Sequence, residues 1–93
     1  MQNLIIHLSP EVLAQEVSGE MVLLDLASEN YFGLDPIGAR IWELLQEKDD
    51  LASLHETMLA EFDVESDQLE ADLIELIGKL EEAGLVSTSP VQS

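Results

Sequence analysis

The chain contains no cysteine. That excludes a disulfide framework, a thiolate nucleophile and any zinc site built on cysteine. Basic residues are nearly absent: Arg40, Lys48 and Lys79 stand against 20 acidic side chains, a formal net charge of -17. A surface that grips phosphate needs clustered Lys and Arg, so the composition argues strongly against nucleic acid and anionic membranes as partners. The acids either solvate the protein or steer it toward a basic partner. Long apolar runs are also missing. The longest have strand length, far below the roughly 20 residues of a membrane span, and the N-terminal stretch has neither the positive region nor the apolar run of a signal peptide. The expectation is a cytoplasmic protein with a single domain, since 93 residues support one modest core.

What is present centres on residues 20–45, EMVLLDLASENYFGLDPIGARIWELL. The run from Met21 to Leu26, broken only by Asp25, has the length and branching of a strand. Ala27-Ser28-Glu29-Asn30 is a polar turn, with Asn30 the residue best suited to a left-handed backbone, so Tyr31-Phe32-Gly33-Leu34 returns antiparallel. Asp35-Pro36 then starts a helix: the carboxylate accepts from free amides, and proline lacks the donor that would be unsatisfied there. Ile37, Ile41, Leu44 and Leu45 fall on one face of that helix, and Trp42 beside them is assigned to the core.

Before this stretch, Leu4 to Leu8 is a strand or an ordered arm, stopped by Ser9-Pro10. Val12 to Val17 is a strand, because Ser18-Gly19 is a two-residue hairpin connection into the next one. After it, Asp50 caps a second helix on which Leu51, Leu54, Met58, Leu59 and Phe62 recur at helical spacing. Ser66 is the N-cap candidate of a third helix reaching Ala83, with Gly84 as its left-handed stop. Leu69, Leu73, Leu76, Ile77 and Leu80 form its core stripe; Ala71, Ile74 and Gly78 form a second row suited to a groove or a tight helix contact. Leu85-Val86 packs back, and the remainder is expected to fray. Strands followed by helices, without repeats or linkers, indicate an α+β domain with helices covering one face of a three-stranded antiparallel sheet.

In a meander, the strand from Tyr31 to Leu34 is an edge, and it carries no Lys or Pro to blunt it. Two readings are open. Tyr31 and Phe32 are core aromatics with a helix over the edge, or the edge accepts a peptide as an added strand. The histidines, His7 and His55, have no ligand spacing and read as boundary residues, and the acids of EKDD and VESDQLEAD lack the glycine and alternation of a calcium loop. No metal, cofactor or catalytic residue is expected, and so small a domain offers little room for a catalytic pocket.

The order GEMVLLDLASENYFGLDPIGARIWELL, a helix ending EFDV, a helix with Asp72 ahead of Leu73 and a closing LEEAGLV resembles the PqqD-like family over about Leu8 to Val86. These are the RiPP recognition elements, or peptide modification chaperones. The resemblance implies a winged-helix-like fold that binds the leader of a ribosomally made precursor peptide. In such proteins the leader lies antiparallel along the third strand, in a cleft against the third helix, and is presented to maturation enzymes. Carried onto this sequence, the strand side is Asn30, Tyr31, Phe32, Gly33 and Leu34, with the backbone of Tyr31, Phe32 and Gly33 pairing. The helix side is Leu69, Asp72, Leu73, Ile74, Leu76 and Ile77, with Leu73, Ile74 and Leu76 as pocket candidates. Asp72 accepts from a leader hydroxyl or basic residue, or else bonds within its own domain, for instance to Arg40.

The expected organisation is a leader-binding domain over residues 1–86 and a flexible C-terminal tail over residues 87–93. The size suits stand-alone members of the lasso-peptide and pyrroloquinoline quinone pathways, with the lasso type favoured. Expected partners are the precursor leader and a modifying enzyme such as a protease or cyclase, with a homodimer through the edge strand as an alternative use of that edge. The competing class is a winged-helix transcription regulator. It is disfavoured because the third helix sets Lys79 alone against Asp67, Glu70, Asp72, Glu75, Glu81 and Glu82. An acidic carrier protein would need an attachment serine at a helix start, where this chain has Asp35-Pro36-Ile37.

Overall fold

Two hairpins, each closed by a left-handed residue, lay down the main sheet. The computed structural model of the chain describes residues 3–91. Its elements are β1 (Leu4–Leu8), β2 (Val12–Val17), β3 (Glu20–Asp25), β4 (Asn30–Leu34), α1 (Pro36–Leu45), α2 (Leu51–Glu61), α3 (Ser66–Glu82) and β5 (Val86–Pro90). β2, β3 and β4 form an antiparallel sheet in that order. Ser18 and Gly19, at φ 53° and 83°, make the tight β2–β3 turn, with Val17 opposite Glu20. In the β3–β4 turn the left-handed residue is Glu29, at φ 62°, in place of the expected Asn30. Asp25 shapes this turn: its buried carboxylate accepts from Ala27 N–H at 3.3 Å and from the Ser28 hydroxyl at 2.7 Å.

The period of two sends Met21, Leu23, Phe32 and Leu34 toward the helices and Leu13, Leu24 and Tyr31 to the other side. Leu23 is fully buried and Leu34 nearly so, whereas Tyr31 is 76% exposed. Asp35 caps α1 as expected, its Oδ1 accepting from Gly38 N–H at 2.7 Å ahead of Pro36. Ile41, Trp42, Leu44 and Leu45 enter the core. Ile37 does not, being about half exposed at the first turn. α2 contributes Leu51, Leu54 and Met58, and α3 contributes Leu69, Leu73, Ile77 and Leu80. Arg40 ties α1 to α2 by forking the Glu61 carboxylate, with Nε to Oε2 at 2.9 Å, and also reaches Glu43. No helix among the described residues is long and apolar enough to cross a membrane.

α3 ends as its sequence dictates. Gly84 sits at φ 79°, its N–H bonds to Glu81 C=O, and Leu85 N–H returns to Leu80 C=O, the paired bonds of a Schellman stop. Its start differs from expectation. Glu65 occupies the cap position and makes no side-chain cap bond, while the Ser66 carbonyl accepts from His55 Nε2 at 3.0 Å.

The expectation of a frayed tail from residue 87 is corrected. Val86–Pro90 is β5, which pairs antiparallel with β1 along its whole length, from Leu4 opposite Pro90 to Leu8 opposite Val86. The His7 ring meets the Ser89 hydroxyl across this pair at 2.9 Å. Of the expected tail and domain, residues 1, 2, 92 and 93 lie outside the described residues. The result is a winged-helix-like α+β fold with a second, two-stranded sheet beside the three-stranded one.

β1 and the residue before it are tied to the segment that leads into α2: Ile6 N–H bonds to Asp49 C=O at 2.6 Å, and Asn3 donates to Asp50 and accepts from Ala52 N–H. Bonds from the Ser53 hydroxyl and amide, with a further one from Asn3, hold the Asp50 carboxyl below its ordinary value of 3.8. A depressed carboxyl stabilises the fold fully above its unfolded-state pKa and loses that contribution as pH falls through its folded one. Replacing the cap, Asp50→Ala, is therefore expected to destabilise the protein by about 1 kcal/mol at neutral pH. In urea melts that difference should shrink as pH drops below 3.8; a difference independent of pH would assign the cap's worth to something other than its charge.

Candidate functional site

β4 has a neighbour on one side only. β3 pairs with it from Met21 opposite Leu34 to Asp25 opposite Asn30, and no described strand lies beyond. Its other margin carries main-chain amides and carbonyls that have no ladder partner. Only Asp35 separates the end of β4 from the start of α1, so the first turn of α1 stays close to β4, and α3 faces them.

Between them lies a groove of about 420 Å³. β4 lines it with Phe32, Gly33 and Leu34, the cap with Asp35, α1 with Ile37, Gly38 and Ile41, and α3 with Asp72, Leu76 and Lys79. Gly38 lets this corner pack closely. A Cβ there would lie 3.1 Å from Asp35 Oδ1 and 3.2 Å from Leu34 Cδ2, crowding the cap and the groove wall together.

Of the residues expected from sequence, Phe32, Gly33, Leu34, Asp72 and Leu76 meet in the groove. Asn30 and Tyr31 lie on the same edge strand outside the groove lining. The choice between core aromatics and an open edge resolves residue by residue: Phe32 is partly buried against the core, while Tyr31 stands out on the opposite face of the sheet. Three helix-side candidates lie in the core. Leu69, Leu73 and Ile77 are 5%, 0% and 4% exposed, so they are the inner stripe of α3 and present no side-chain surface to a ligand. Ile74 is exposed but lies two residues from Leu76, about 200° round the helix, and Ala71 and Gly78 share its solvent side.

The groove-facing stripe is therefore Asp72, Leu76 and Lys79, adjacent to the core stripe. Asp72 accepts from Gln68 Nε2 at 2.9 Å, one turn earlier on its own helix, and Arg40 is committed to Glu61 and Glu43. Asp35, Ile37, Gly38, Ile41 and Lys79 line the groove but were not among the residues expected from sequence. The single-residue link between β4 and α1 was the signal for the first four; nothing in the periodicity of α3 singles out Lys79. Among the described residues, no three His, Asp or Glu side chains are grouped to hold a metal ion.

These features place the chain among small winged-helix-like α+β proteins with one open sheet edge beside a helix-lined groove. Residues 20–86 match the family model of coenzyme PQQ synthesis protein D (PqqD), and the chain belongs to the PqqD family. Two solved structures are similar over nearly the whole chain. TbiB1 in complex with the TbiA(beta) leader peptide has a TM-score of 0.80 and 33% identity, covering 87% of this chain and 94% of that one. A lasso peptide synthetase B1 complexed with the leader peptide has a TM-score of 0.78 and 29% identity, covering 88% and 96%. No curated protein sequence matches the chain significantly.

Proposed function

We propose that this protein is a non-catalytic recognition module that binds the leader of a ribosomally synthesised precursor peptide and presents it to a maturation enzyme of a lasso-peptide pathway. The observation that carries the reading is the unpaired β4 edge lying against the groove. An extended peptide added there gains main-chain hydrogen bonds from β4, and every second side chain enters the groove. The groove is lined from β4 and not from β2, the sheet's other edge. Two proteins of similar structure were solved in complex with leader peptides.

The binding residues on this reading are Asn30, Tyr31, Phe32, Gly33 and Leu34 on the strand, and Asp72, Leu76 and Lys79 on the helix. Leu69, Leu73 and Ile77 support that helix from beneath. On this reading the leader is handed to a modifying enzyme such as a protease or cyclase. Self-pairing of two β4 edges is opposed by a charge of -17 on each copy. A DNA-reading role for α3 fails on the same ground, because its one lysine faces the groove among carboxylates.

An amide NMR titration with the leader encoded beside this gene tests the proposal. Shifts are expected to concentrate on β4, the first turn of α1 and the groove side of α3. The absence of shifts, or shifts confined to the β2 edge, would overturn it.

A further inference from the structure

We propose that Lys79 selects a carboxylate on the leader and thereby sets the register in which the peptide lies, an inference that rests on the leader-binding reading above. The argument begins with scarcity. The chain has three cationic side chains. Arg40 is held by Glu61 and Glu43, and Lys48 is not among the groove residues. Lys79 is thus the one positive group lining the groove, in a molecule that is otherwise strongly negative.

Scarcity of one sign decides what a charge on the peptide can signal. A basic leader residue is attracted almost anywhere on this surface, so it adds affinity and speeds encounter without fixing a position. An acidic leader residue is repelled almost everywhere and has one favourable place to go. The rarer pairing carries the positional information.

The geometry of α3 sharpens this. Asp72, Leu76 and Lys79 form one stripe along the groove, with the two charges about 10 Å apart along the helix axis and an apolar side chain between them. A leader bound backwards, or slipped toward the other end, brings its carboxylate to Asp72, where like charges repel. Lys79 is held available. Its ammonium lies 3.2 Å from Glu75 Oε1, but both side chains are more than half exposed, and an exposed pair of this kind on one helix is weak. Glu75 keeps the lysine extended, and a leader carboxylate replaces it.

The test measures affinity for the encoded leader, and for leaders in which each Asp or Glu in turn becomes Lys, by fluorescence anisotropy at low salt. Proteins compared are the wild type, Lys79→Glu, Glu75→Gln and the charge-matched control Lys48→Glu, with thermal melts confirming that each is folded. Lys79→Glu is expected to weaken the native leader by about tenfold or more, and Lys48→Glu by about twofold or less, as close charge pairs at interfaces exceed distant ones. One leader substitution is expected to restore binding to Lys79→Glu while weakening binding to the wild type. Glu75→Gln, which removes the internal competitor, should tighten the native leader. Binding to Lys79→Glu within about twofold of wild type, a loss that no leader substitution rescues, or a bound leader with no acidic residue would overturn the inference. Failure of the wild type to bind any leader would instead overturn the reading on which it rests.

Discussion

Methylating the backbone nitrogens of the leader one at a time is expected to weaken binding with a period of two. Amides that point at β4 lose a donor and clash with the facing carbonyl, so each such methylation should cost about 10- to 100-fold, corresponding to the 1–3 kcal/mol of a desolvated and unpaired acceptor. Amides of the intervening residues point to solvent and should tolerate the methyl group with little change. The alternation follows from strand geometry alone, and the protein is left untouched, so its stability cannot confound the result. A peptide held only by side chains in the groove would show no such period. A helical leader laid against α3 would be disrupted by methylation at most interior positions, again without alternation. Affinities of a methyl scan across the segment identified by the NMR titration decide among the three. The period also reports register: the sensitive amides name the leader residues opposite β4, and the side chains two apart in that set name those that enter the groove.

The elements that were legible in the sequence are those specified within a few residues. Ser18-Gly19 closes its hairpin, Asp35-Pro36 and Asp50 start their helices, and Gly84 ends α3, each through a bond to a neighbour in the chain. The edge character of β4 was legible too, because three strands in a meander leave the third without an outer neighbour. What was not legible depends on distant partners. Ser87-Thr88-Ser89-Pro90 has the composition of a tail and becomes a strand because β1, some 80 residues away in sequence, offers it a ladder. Ser66 is the better capping residue by type, yet the His55 ring bonds to its carbonyl and Glu65 takes the cap position. On α3 the apolar stripe of Leu69, Leu73, Leu76, Ile77 and Leu80 is wider than the surface it buries. Periodicity places its centre but not its borders, so Leu76 at the margin goes to the groove while Leu73 and Ile77 go to the core. The family resemblance names residues of both kinds together and does not separate those two positions.

That separation yields the last expectation, in which two leucines one turn apart on α3 respond in opposite ways. Leu73 is 0% exposed, so Leu73→Ala removes a fully enclosed side chain and leaves a cavity. The cost of such a truncation is about 2–5 kcal/mol, a large fraction of the roughly 5–15 kcal/mol that holds a domain together. For a chain of this size the melting temperature should fall by about 10 °C or more. Leader affinity of the molecules that remain folded should change little, because the side chain never reaches the groove. Leu76 is only partly buried and lines the groove, so Leu76→Asp leaves the inner packing largely intact. It introduces a carboxylate into the apolar centre of the peptide's path, one turn from Asp72. A buried face of the leader would then meet an unpaired charge, and binding should fall by about 100-fold or more, with a melting temperature close to that of the wild type. Measuring both properties on both variants below their melting transitions separates support from contact. If Leu73→Ala abolished binding while remaining folded, α3 would have to rotate when the leader arrives, and the present groove would be a resting form of the site. If Leu76→Asp unfolded the protein, the groove would be a continuation of the core with no surface to offer.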